Sequence, residues 1–390
     1  MPRLASLVLA LLVASSTIDA QSVTVETLVP AGSEIADALA LGPDGALYGS
    51  RFGSFDPFVP GETVSRIALE DGTGTIYASG FSFPNGLAFG PDGSLFVVSY
   101  YDAAINAGRV SRVAPDGTVS VIADLPDGTT VSGAIYDAVD DELYITSYDN
   151  DWVKTLGLDG TFTDVIEGGD LDGPAGLAFD DQNRLHVANF NDGKIFRIED
   201  GALVLVADVQ QAIGFLAYGG GRFFATGIND HRIYAVTESG AVTAIAGQGK
   251  PGSADGDASL ATFNAPNGIV ATAAGDTLYV SDAGTRAIRR ITIATSTSSQ
   301  DAPSSRSSLL PVSPNPAVGN ATARFVLEDA GEVEVAVFDT LGRRVRDLAS
   351  GVWAVGTHAV ALEAEGLPAG TYVVVLRAGG SVESQTWVRQ

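Results

Sequence analysis

The chain has 390 residues, of which 45% are hydrophobic, with 46 glycines and no cysteine. Without cysteine there are no disulfides, zinc–thiolate sites or thiol nucleophiles, and packing alone must hold the fold. A formal charge of −25 repels nucleic acid and anionic membrane surfaces, and the scarcity of lysine (Lys154, Lys194 and Lys250) argues against a Schiff-base mechanism.

Residues 1–20, MPRLASLVLALLVASSTIDA, read as a signal peptide, with Arg3 in a short basic start, an apolar run from Leu4 to Ala14, and a small Ala20 where cleavage would fall. The run is too short to stay as a membrane anchor, and no later segment is apolar enough for a membrane helix. Mature protein is expected to start at Gln21 and to carry no transmembrane segment.

One phrase then recurs along the chain. FPNGLAFGPDGSLFVVSY near Phe83 returns as GPAGLAFDDQNRLHVANF near Gly173 and as APNGIVATAAGDTLYVSD near Ala265. Aligned on their Gly-small-apolar core, six units begin at Asp37, Asn85, Ser132, Ala175, Gly214 and Asn267. They lie about 40 to a little over 50 residues apart, the period of a propeller or solenoid. In the second unit GLAFGPDG, SLFVVSY, GRVSRVAPDG and TVSVIADL spell four short strands joined by Asp-Gly hairpin turns. Four antiparallel strands make a propeller blade, so the chain reads as all-β with six blades. The sixth unit has no fourth strand of its own, whereas SVTVETLV near the mature N-terminus looks like one. Val23–Val29 is therefore predicted to pair beside residues 286–293 and close the ring, covering edges a solenoid would leave open.

The sixth unit, AGQGKPGSADGDASLATFNAPNGIVATAAGDTLYVSDAGTRAIRRI, resembles an NHL repeat, and residues 21–294 resemble six-bladed propellers of the NHL and gluconolactonase/senescence-marker type. Residues 295–308, rich in Ser and Thr, read as a linker. Residues 309–390 follow as a second, small domain whose alternation, with Val333, Val335 and Val337 on one face and Glu332, Glu334 and Ala336 on the other, predicts an immunoglobulin-like β-sandwich. SPNP at Ser313–Pro316, VFDTLGRRV at 337–345, GTH at 356–358 and GLPAGTYVVVLRAG at 366–379 resemble the C-terminal sorting domain of the type IX secretion system. That resemblance implies export across both membranes, recognition of the tail by the type IX machinery, and a secreted or surface-attached product; the propeller is expected to take an extracellular ligand of its own.

In a propeller, the loops entering the innermost strands and those between strands two and three open on one face, and the Asp-Gly turns lie on the other. A ligand site at the channel mouth would combine the inner ring, Asp37 to Asn267, with an outer set. That set contains Tyr100, Tyr101, Tyr148 and Asn189, together with Asp149, Asn229, His231 and Asp282. Asp37, Asn85 and Asn267 are the candidates for a divalent cation such as Ca²⁺, which takes about six to eight oxygens. The competing reading is that Asn before Gly serves a tight turn into a strand. Resemblance to the gluconolactonases implies a divalent metal held by acidic and Asn residues at this mouth. Ser132, Ala175 and Gly214 depart from that pattern. NHL-type lyases hold zinc with histidines, but His186 alternates with Leu185 and Val187 as a packing residue would, and His231 and His358 complete no tetrahedral set. The expected function is an exported ligand- or protein-binding propeller. The alternative is a metal-dependent lactonase-like hydrolase with Asp149 or Asp282 as general base.

Overall fold

The fold is taken from a computed structural model, which describes residues 22–32, 37–55, 57–294, 307–327, 330–339, 344–378 and 381–390. The expected signal peptide and most of the expected linker lie outside these residues. The chain separates into two compact units, one up to Ser296 and one from Thr297. The described residues contain no helix, and so none long and apolar enough to cross a membrane.

The first unit contains six blade-forming antiparallel sheets among its described residues, and a small two-stranded one, Gly53–Phe55 with Phe58–Pro60. The second shows the pattern: Pro84–Phe89, Leu95–Asp102, Ala107–Val113 and Val119–Asp124 pair in sequence order. Asp-Gly turns join them for a local reason. Asp44, Asp92, Asp116 and Asp159 each accept a hydrogen bond from the backbone N–H two residues on, and the glycine that follows each aspartate takes a positive φ. The first strand of each sheet touches the first strand of the next, and the sixth touches the first. The first unit is therefore a closed six-bladed β-propeller.

Where neighbouring first strands meet, backbone runs against backbone. A Cβ on Gly133 would lie 1.9 Å from the Ala175 carbonyl oxygen, and one on Gly268 would lie 2.1 Å from that of Asp37. Hydroxyls at the ends of second strands reach across the same seams: Thr226 Oγ1 donates to the Asn267 carbonyl at 2.6 Å and Thr146 Oγ1 to that of Ala175 at 3.4 Å.

Val23–Val29 closes the ring as predicted, lying antiparallel to Ala287–Ile293, with Val25 opposite Ile291 and Glu26 opposite Arg290. An unpredicted fifth strand, Gly256–Asp257, flanks it on the outside. Its anchor is Arg289, whose side chain is fully buried and donates to the Thr262 carbonyl (2.9 Å), the Ala254 carbonyl (3.0 Å) and Asp255 Oδ1 (2.6 Å). Asp255 in turn accepts from the Thr27 backbone N–H and hydroxyl, so one charged pair ties the terminal strand to the loop that covers it.

The second unit is a β-sandwich. One sheet contains Ser307–Leu309, Ala321–Leu327 and Gly356–Leu362, and the other Arg344–Trp353, Gly331–Asp339, Gly370–Ala378 and Ser381–Arg389. Trp387, Phe325, Val335, Val337 and Leu376 fill the space between. Val333, Val335 and Val337 point inward as expected, but Ala336 is buried as well. It sits at a register shift against Arg344–Trp353, where strict alternation breaks. The first strand starts at Ser307, two residues before the expected domain start.

Candidate functional site

Register across the first two strands of each blade puts Asp37, Asn85, Ser132, Ala175, Gly214 and Asn267 at equivalent places on one rim of the channel. Chemically the ring is lopsided. On the side of blades six, one and two, Asn267 Nδ2 donates to Asp37 Oδ1 at 2.7 Å, and the side-chain oxygens Asn267 Oδ1 and Asn85 Oδ1 are buried without a partner among the described residues. Asp37 is itself buried, which pushes its pKa well above the usual carboxylate range against the lowering effect of Asn267. On the other side the oxygens run out. Ser132 spends its hydroxyl accepting from the Tyr148 N–H at 3.1 Å, and Ala175 has none to offer. Gly214 has no room for one, since a Cβ there would lie 2.5 Å from Asn267 Oδ1.

These residues meet a divalent cation halfway. Three side chains on one arc offer oxygens, about half of what a calcium ion takes, and the remaining ring positions do not complete the set. No group of three or more His, Cys, Asp or Glu among the described residues is arranged to hold a metal.

The outer set divides in two. Asn189 and Asp282 are fully buried. Asn189 Nδ2 donates to the Asp170 carbonyl at 2.8 Å, while Asn189 Oδ1 has no partner among the described residues. Asp282 accepts from the Asn264 N–H at 2.6 Å and the Thr285 hydroxyl at 2.7 Å, with Arg289 3.8 Å away. Burial raises its pKa, offset in part by those hydrogen bonds. It is committed to holding a turn. His231 is occupied too, accepting the Ala265 N–H on Nδ1 at 3.1 Å, and Tyr101 donates to Asn106 Oδ1 at 2.8 Å. Asn229 is exposed on the turn before His231.

Tyr100, Tyr148 and Asp149 face the solvent side of the rim. The Tyr100 hydroxyl donates to Asp149 Oδ2 at 2.5 Å, and the Thr130 hydroxyl donates to the same oxygen at 2.8 Å. Burial, and then the Asp149 carboxylate, raise the Tyr100 pKa, so the phenol stays protonated. The Tyr148 hydroxyl donates to Asn191 Oδ1 at 2.8 Å, and Asn191 Nδ2 to Asp172 Oδ1 at 2.7 Å.

Sequence reasoning missed the partners of these tyrosines. With blades registered on their first strand pair, the rim position of Tyr100 and Tyr148 reads Phe52, Tyr100, Tyr148, Phe190, Ile228 and Ala283 in blades one to six. Four successive blades thus present half-exposed aromatic rings. Ring centroids of Phe52 and Tyr100 are 6.0 Å apart, and those of Tyr148 and Phe190 are 5.5 Å apart. The same alignment that picked the tyrosines would have found both phenylalanines had it been carried past the strand into the loop.

Phe215 was also missed. Five blades have Gly or Ala just after the ring residue: Ala38, Gly86, Gly133, Gly176 and Gly268. The fifth blade has Phe215, which packs against its own side of the channel, around Ala217 and Ile269, and also against the Ala38, Ala40 and Leu87 cluster of blades one and two. It reaches across the channel from blade five towards blades one and two. A cavity of ≈ 320 Å³ lies among the first strands of all six blades, with Phe215 in its wall.

Residues 311–390 match the family model described as a secretion system C-terminal sorting domain. The tail is a secretion sorting domain. The domain is that of type IX secretion, and it marks the chain for export to the cell surface or the extracellular space. No curated protein matches the sequence. Solved structures similar to the propeller include an auxiliary nutrient binding protein from Bacteroides thetaiotaomicron (19% identity, 70% of this chain and 76% of that one, TM-score 0.59). A PQQ-bound aldose sugar dehydrogenase from Streptomyces coelicolor also aligns (16% identity, 70% and 98% covered, TM-score 0.54). So does a gluconolactonase from Xanthomonas campestris (18% identity, 69% and 89% covered, TM-score 0.51). At these identities the likeness is one of fold.

Proposed function

We propose that this protein is an exported binding propeller, with residues 1–20 as a removable leader, 21–294 as the binding domain, 295–308 as a linker and 309–390 as the sorting tail. Its ligand would be held on the mouth face, at the rim of Tyr100, Tyr148 and Asn229; Asn189, expected there as well, is fully buried and offers no contact surface. The fold neighbours include both nutrient-binding proteins and a gluconolactonase, so the fold alone does not choose between binding and catalysis. The character of the mouth carries the reading. An arc of half-exposed aromatic rings lies over a channel that Phe215 reaches across, while the carboxylates proposed for proton transfer are held by neighbouring hydroxyls and N–H groups. A general base must reach its proton, and Asp282 is buried, whereas Asp149 has Oδ2 taken by two hydroxyls and only Oδ1 open.

One observation favours a second reading, a metal-dependent lactonase-like hydrolase. Two buried amide oxygens, Asn85 Oδ1 and Asn267 Oδ1, have no partner among the described residues and stand in the ring on either side of the buried carboxylate of Asp37. Calorimetric titration of the exported full chain with Ca²⁺, Mn²⁺ and Zn²⁺, followed by a screen of lactones, separates the two. The binding reading predicts no lactone turnover with any of the three ions. Turnover that needs the ion and disappears in Asp37→Asn would replace it with the hydrolase.

A further inference from the structure

We infer that the ligand of this mouth is a neutral polysaccharide chain, laid along the arc of Phe52, Tyr100, Tyr148 and Phe190. The inference rests on the reading of the mouth as a binding surface and adds the chemical class. Sugars present two kinds of surface, an apolar face of C–H bonds and an edge of hydroxyls. Aromatic rings suit the first, and carboxylate or amide oxygens suit the second, each able to take adjacent hydroxyls.

Both are interleaved here. Between the rings of blades two and four stand Asp149 and Asn191, each fixed by a tyrosine hydroxyl, at 2.5 Å and 2.8 Å. Both hydroxyls that bind Asp149 go to Oδ2, so Oδ1 keeps its acceptor capacity on an exposed residue. The tyrosines thus orient the polar groups, and their rings supply the stacking faces.

Charge narrows the choice. Asp149 and Asp172 bring two carboxylates to the tyrosine side of the arc, and the whole chain carries −25, so an anionic polymer is repelled. The arc spans four consecutive blades, and Phe215 reaches across the channel, so a chain lying across the rim fits better than a single sugar dropped into the channel. At Ile228 and Ala283 the aromatic run stops, which gives the arc an end.

The test is calorimetry on the exported full chain with linear neutral hexasaccharides of glucose, xylose, mannose and N-acetylglucosamine as probes. At least one is expected to bind, with affinity falling about tenfold in Phe190→Ala, the worth of one stacked ring. Asp149→Asn, which leaves every ring in place, is expected to weaken the same probe while the melting temperature holds. The inference fails if none of the probes binds, or if binding survives Phe190→Ala and Asp149→Asn unchanged in chains that melt normally. A lysine-rich peptide serves as the contrasting probe. If the peptide alone binds and is lost in Phe190→Ala, the polysaccharide is overturned and the binding mouth stands. If whatever binds ignores both variants, the binding mouth falls as well.

Discussion

Two buried titratable side chains show how position, and not residue type, sets a role. Asp37 is held in the fold with its pKa raised by burial. A carboxyl raised in this way gives its full contribution to stability below the unfolded value, about 4, and loses it as pH rises through the folded value. Asp37→Asn keeps an acceptor for Asn267 and removes the charge. It is expected to exceed the parent in stability at neutral pH, with the gap opening from about pH 4 upward in denaturant titrations. A constant gap across that range would mean that Asp37 carries no burial penalty in the ring. His186 has the opposite sign. Burial lowers its pKa, so its contribution is present above the unfolded value, about 6.5, and is lost as pH falls through the folded value. Its register equivalents in the other blades are Tyr48, Phe96, Tyr144, Phe224 and Tyr279, and its ring lies 4.4 Å from that of Phe223. His186→Phe is expected to fold and to lose part of the acid sensitivity below about pH 6, read from melting temperature against pH. The packing role of His186 was legible from its alternation with Leu185 and Val187. The roles of Asp149 and Asp282 were not, because which hydroxyls and N–H groups engage a carboxylate depends on loops folding back from elsewhere in the chain.

At the scale of the element, the strands were legible because they are short and alternate, and many end at an Asp-Gly turn that dictates a hairpin. The glycines after the ring residues have a different cause, invisible in a single blade: the neighbouring first strand comes too close for a side chain. Gly133→Ala would push a methyl to 1.9 Å from the Ala175 oxygen. Its expected cost is about 3 kcal/mol in equilibrium unfolding, and a loss under 0.5 kcal/mol (roughly the neutral range for surface changes) would mean that the seams give way to a methyl group. Phe215 escaped notice because an apolar letter in a β-strand looks ordinary. Only the comparison with five small residues in the same place sets it apart. Strand Gly256–Asp257 was hidden for a related reason: Gly and Asp have little strand propensity, and Arg289 holds them there from outside the local sequence.

For the whole molecule, the decisive contact joins the two ends of the propeller chain. Glu26 and Arg290, 264 residues apart, pair across the seam between the first-made and last-made strands. A surplus of 47 acidic over 22 basic side chains keeps the exported protein soluble and repels anionic surfaces, but it does not shape the mouth. The mouth exists because six first strands converge on one axis, which requires that the ring be shut. Amide hydrogen exchange at Thr24 and Glu26, whose N–H groups face Ala287–Ile293, reports most directly on that closure. In a closed ring these amides exchange only through global opening, as slowly as those of Val97 or Val187 in complete blades. Exchange as fast as a frayed terminus would mean an open ring, and the placement of the inner ring and the aromatic rim would fall with it.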